Sequence, residues 1–83
     1  MEIHYTYRAA DDLQKLSRTV QKRIAMKMRF YAKQSGPLAF AKRIQNLDEG
    51  QFRFRIGDHR VIFDVIRATI FVLRIVRRDK AYE

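Results

Sequence analysis

The sequence predicts an α+β fold: an N-terminal strand, then an antiparallel helix pair packed on one face of a mainly antiparallel four-stranded sheet. Three observations predict it. Apolar residues recur at helical spacing in the first half, three runs in the second half alternate with a period of two, and a Gly-Asp pair joins the first two of those runs. Two helices alone would leave the apolar face of the second half uncovered, so they are expected to lie on the sheet. The 83 residues are read as a single domain spanning 1–83, and a chain of this size hides only about 60% of its surface on folding.

Residues 2–7 (EIHYTY) alternate polar and β-favouring side chains, which suits a strand expected to pair inside the sheet. In RAADDLQKLS, Ala9, Leu13 and Leu16 recur at helical spacing, and Asp11 and Asp12 are placed in the first turns, where negative charge complements the helix dipole. Ser17 or Thr19 can cap a longer helix whose Val20, Ile24, Met28 and Tyr31 form its inner stripe, with Lys22, Arg23, Lys27 and Arg29 in solvent. Gly36-Pro37 stops it. A helical turn and then an extended piece carrying Ile44 and Leu47 are expected next, followed by a turn at Asp48-Glu49-Gly50. Strands then run over 51–56, 59–66 and 69–77, joined at Gly57-Asp58 and Arg67-Ala68.

Composition narrows the partners. Eighteen Lys and Arg against nine Asp and Glu give a formal charge of +9, which draws the chain to polyanions: nucleic acid, an anionic membrane surface or an acidic protein. The absence of cysteine excludes disulfides, thiol chemistry and the usual structural zinc sites. No metal and no cofactor is expected. Glu2 stands where a secretory signal would carry positive charge, and no apolar run approaches the roughly 20 residues of a membrane span, so a cytoplasmic location is expected.

Alternation sorts the strands into two faces. Phe52, Phe54 and Ile56, then Val61, Phe63 and Val65, then Phe71, Leu73 and Ile75 are expected to face the helices. The opposite face takes Arg53, Arg55, Arg60, Arg74 and Arg78, with Ile62, Asp64, Ile70, Val72 and Val76 between them. A solvated sheet face is the plain alternative. Yet like charges opposed across strands cost about 0.2–1 kcal/mol each, and the face holds one acid. Such a face is suited to an anionic ligand, and arginine in place of lysine favours forked hydrogen bonding to phosphate or carboxylate.

The pattern G-x-aromatic-R-x-R-x-G-D-x-R-V-I-aromatic over residues 50–63, and the terminal R-R-D-x-x-Y over residues 77–82, resemble the RelE/ParE superfamily of bacterial toxins. The order of strand, helix pair and three-stranded meander is similar over nearly the whole chain. The resemblance implies a RelE-like toxin of a type II toxin–antitoxin pair, held inactive by an acidic cognate antitoxin. For RelE-like members it also implies metal-independent cleavage of mRNA on the ribosome, with the 2′-hydroxyl as nucleophile. On that pattern Arg60 grips the phosphate in the transition state, Arg78 assists the leaving oxygen, and Tyr82 acts in proton abstraction or base stacking. Arg53, Arg55, Arg74, Arg77 and Lys80 are the expected RNA-binding residues. Gln51 stands where some members carry a lysine, so that amine is absent as a general base.

The chemistry sets its own demands. In-line attack by a 2′-hydroxyl needs positioning and charge stabilisation on the phosphorane, which two arginines can supply. Proton handling is harder, because phenols titrate near 10 and guanidinium groups above 12. His59 has the better-matched acidity, but alternation sends it to the face opposite Arg60, so it and His4 are read as structural. Two alternatives remain open: a ParE-like gyrase inhibitor, and an RNA- or ribosome-binding protein that grips phosphate without reaction. A homodimer and a toxin–antitoxin hetero-oligomer are both open.

Overall fold

A computed structural model describes residues 1–45 and 49–78. Strand β1 (Glu2–Tyr5) leads into α1 (Tyr7–Gln14) and α2 (Arg18–Lys33); a 3-10 turn (Pro37–Phe40) precedes β2 (Lys42–Arg43), and β3 (Phe52–Ile56), β4 (His59–Ile66) and β5 (Thr69–Arg77) follow. The fold is α+β as the sequence predicts, but the sheet has five strands, in the order β1-β5-β4-β3-β2. The extra strand is β2, which pairs antiparallel with β3; two residues are too short to show a period. β1 also differs from expectation. It ends at Tyr5 and lies at a sheet edge, parallel to β5, because the helix pair carries the chain across before the meander begins.

The helix ends follow local chemistry. Thr6 caps α1 by accepting the Ala9 amide, and Ser17 caps α2 by accepting that of Val20. Since α1 opens at Tyr7, Asp11 and Asp12 fall beyond its first turn, contrary to the dipole role expected of them. Asp11 pairs with Lys15 one turn on. On α2 the inner stripe stands as predicted: Ile24, Met28 and Tyr31 are buried and Val20 packs against the core.

The core joins Ile24, Met28, Tyr31 and Ala32 of α2 to Phe54, Ile56, Val61, Phe63, Ile70, Val72 and Ile75 of the sheet. Its centre is a column of rings, with Tyr31 stacked on Phe54 at 4.3 Å and Phe54 on Phe63 at 4.4 Å. On β5 the expected facing holds for Ile75 alone. Ile62 pairs with Arg74 and Phe63 with Val72, so Leu73 is an extra residue that breaks the alternation. This bulge turns Ile70 and Val72 to the helices in place of Phe71 and Leu73.

Two glycines hold the hairpin ends. Gly57 adopts φ 58° in the two-residue turn between β3 and β4, a conformation open to glycine at little cost. Gly50, at φ 147°, passes so close to β4 that a Cβ would lie 2.8 Å from Ile62. Beyond it, the Gln51 amide donates to the Asp64 carboxylate at 2.8 Å, and the Val65 amide donates to the Gln51 side chain at 3.0 Å. Gln51 therefore clasps the start of β3 to β4. Leu47 and Asp48 lie outside the described residues.

α1 closes the far edge of β5. β1 covers β5 only as far as Val72, and beyond that point Thr6 donates its hydroxyl to the Leu73 carbonyl at 3.3 Å while the Ile75 amide donates to Asp12 at 2.9 Å. The Arg74 guanidinium completes the junction, its Nε 2.8 Å from Asp12 Oδ2. Burial works against the Asp12 carboxylate, but the hydrogen bonds from Arg74 and Ile75, with the charges of Arg74 and Arg8, hold its pKa below the usual value. A depressed acid stabilises the fold at every pH above its unfolded pKa of about 3.9, and that contribution disappears as pH falls through the folded value. Asp12→Asn should thus be about 1.5–3 kcal/mol less stable than the wild type at pH 7, and the difference should shrink as pH falls toward 2. Urea unfolding of both proteins between pH 2 and 7 checks this; parallel pH profiles would contradict it.

Candidate nucleic-acid interface

Four of the predicted arginines meet. Arg53, Arg55, Arg60 and Arg78 line one cleft of about 280 Å³ together with Lys42 and Phe40. The sheet register creates the cluster: Arg55 lies directly across from Arg60, and Arg53 directly across from Lys42. Arg78 joins from just beyond β5, where its amide donates to the Asp58 carbonyl of the hairpin turn at 2.8 Å. Arg60 is the innermost of the group, 4% exposed, whereas Arg55 and Arg78 are open to solvent.

Both opposed pairs are like-charged, and each costs a fraction of a kcal/mol in the empty protein. Asp64, the acid expected on this face, is taken up by the Gln51 amide. An anion in the cleft would relieve the repulsion, and the forked donors suit the oxygens of a phosphodiester.

Two other arginines do not join. Arg74, expected on the same face, is held by Asp12 at the opposite edge of β5; the partner that neutralises it lies 62 residues away in sequence, beyond the reach of any local pattern. Arg77 pairs with His59 across β4 and β5, one residue out of phase with Arg78, and so turns to the other face. Lys80 and Tyr82 lie outside the described residues.

His59 sits away from the cleft. It is 7% exposed, its Nε2 has no hydrogen-bond partner among the described residues, and its strand partners are Ile56 and Arg77. Burial pushes its pKa down, Arg77 pushes the same way, and Asp58 opposes them. A neutral ring in that position packs; it does not exchange protons with a ligand beside Arg60. Sequence reasoning missed Lys42 and Phe40. A run as short as Lys42–Arg43 gives no periodic signal, and only its pairing with β3 places it on the cleft.

Solved structures with the same fold include toxins in complex with antitoxins. The chain is similar to the toxin–antitoxin complex RelBE2 of Mycobacterium tuberculosis, at 24% identity over 93% of this chain and 96% of that one, with a TM-score of 0.75. The RelB-RelE complex of Methanococcus jannaschii is similar at 20% identity over 95% and 94%, TM-score 0.72, and the intact RelBE complex of E. coli at 16% over 92% and 94%, TM-score 0.71. The fold is thus that of the RelE toxins. No curated protein matches the chain. The family model for the ParE toxin of the type II toxin–antitoxin system parDE matches residues 3–82. The chain belongs to that family, within the RelE/ParE superfamily. Among the described residues no helix is long and apolar enough to cross a membrane.

Proposed function

We propose that this toxin is a ribosome-dependent mRNA endoribonuclease whose cleft grips the scissile phosphate. The observation that carries the reading is the convergence of Arg53, Arg55, Arg60 and Arg78 on one small cleft. The 2′-oxygen attacks phosphorus as its proton leaves, charge builds on the phosphorane oxygens, and the 5′-oxygen departs with a proton, leaving a 2′,3′-cyclic phosphate and a 5′-hydroxyl. Arg60, fixed at the base of the cleft, holds the phosphorane; Arg78, at the mouth, faces the leaving oxygen. Tyr82 handles the proton at the 2′-oxygen. Preorganised cations at the point where charge develops contribute about 10²–10³ in rate each. The acidic segment of the antitoxin silences the toxin by covering this basic face, and the setting is the cytoplasm.

The family match favours a second reading, inhibition of gyrase, in which the same face binds protein and no bond is broken. Mapping transcript 5′ ends on ribosomes minutes after induction separates the two. New ends inside translated codons support the nuclease. Intact transcripts with relaxed DNA and a DNA-damage response point to gyrase, and intact transcripts with salt-sensitive RNA binding point to a non-catalytic phosphate grip.

A further inference from the structure

We propose that Phe40 is a stacking platform for an unpaired base of an RNA strand whose phosphate lies in the arginine cleft. The inference rests on the cleft being a nucleic-acid site, and is independent of whether the RNA is cut. Among the described residues Phe40 is the one aromatic side chain beside five cationic ones lining the cleft, and 48% of it is exposed.

Its ring is held in place from behind. It stacks on Tyr31 at 5.2 Å and 30°, meets Phe30 edge-on at 5.9 Å, and through Tyr31 continues the ring column of the core. The backbone is fixed as well: Pro37 opens the 3-10 turn, and the Ala39 and Ala41 amides donate to the Gly36 and Leu38 carbonyls. A ring fixed before binding loses little freedom when a base settles on it. Lys42 follows two residues later on the same wall. Cations that track the backbone beside a rigid ring that takes a base are the working parts of a single-strand site, and a duplex, its bases already stacked, offers no face to the ring.

The chain contains no tryptophan, so Phe40→Trp installs a single reporter. The probe is a short single-stranded RNA, 2′-O-methylated to block cleavage, with an RNA duplex and inorganic polyphosphate as comparisons. Trp fluorescence should be quenched by the single strand and left unchanged by the other two. Phe40→Ala should bind the strand about 10–100-fold more weakly with the same dependence on salt, since no phosphate contact is lost. Phe40→Leu, which keeps the apolar bulk, should lose as much as alanine.

Full affinity in either variant, or quenching by polyphosphate alone, overturns the platform. So does a variant that weakens only antitoxin binding, because Phe40 would then belong to a protein-docking surface with its neighbour Phe30. A wild-type chain that binds no single strand defeats the nucleic-acid reading and this inference together. Stacking in a chain that cuts no mRNA defeats the nuclease alone.

Discussion

Arg78→Ala should abolish growth arrest on induction and slow cleavage on programmed ribosomes by about 10²–10³, with its melting temperature almost unchanged. Arg78 is exposed, and truncating an exposed side chain moves stability by about 0.5 kcal/mol or less, so the loss would fall on the chemistry. Arg60→Ala should cost at least as much activity, but Arg60 is buried against the strands and its removal also perturbs packing. Arg60→Lys separates the two effects. Lysine keeps the charge and much of the bulk but lacks the planar fork, so a folded Arg60→Lys protein that stays largely inactive assigns the function to the guanidinium. Toxicity undiminished in both Arg78→Ala and Arg60→Ala would remove the proposed site. Circular dichroism, growth curves and single-turnover cleavage give the three readouts.

Phe54→Ala should nearly unfold the protein. Phe54 is fully buried between Tyr31 and Phe63, and truncating such a ring costs about 3–5 kcal/mol. Domains of this size hold only about 5–15 kcal/mol in all. With about 4–8 °C lost per kcal/mol, the melting temperature should fall by more than about 12 °C. A fall of less than about 4 °C would mean that the ring column is not the mainstay of the core. The variant also tests the cleft indirectly, because β3 carries Arg53 and Arg55 on its other side.

Those two strands explain why so much was legible in the sequence. Between Phe52 and Ile66 local rules agree: the period of two sorts Phe54 from Arg55, Gly57 fixes a two-residue turn, and the turn fixes the register that sets Arg55 against Arg60. Where the outcome depends on distant partners, the reading fails. The bulge at Leu73 arises from how β4 and β5 fit together, and it reverses the faces of Ile70, Phe71 and Val72 with no mark in composition. Arg74 looks like its neighbours until α1 brings Asp12 against it. Gln51 reads as a missing amine, whereas its side chain accepts the Val65 amide and joins two strands. Lys42 and Phe40 become visible only once β2 is paired.

The opposed cations of Lys42 and Arg53 make occupancy and conformational stability two sides of one equilibrium. Any anion that enters between them binds the native chain in preference to the unfolded one, which at a hundredfold excess over its dissociation constant adds about 2.7 kcal/mol. The protein with its cleft occupied is consequently more durable than the protein with its cleft empty. Whatever anion occupies this cleft also lengthens the life of the protein.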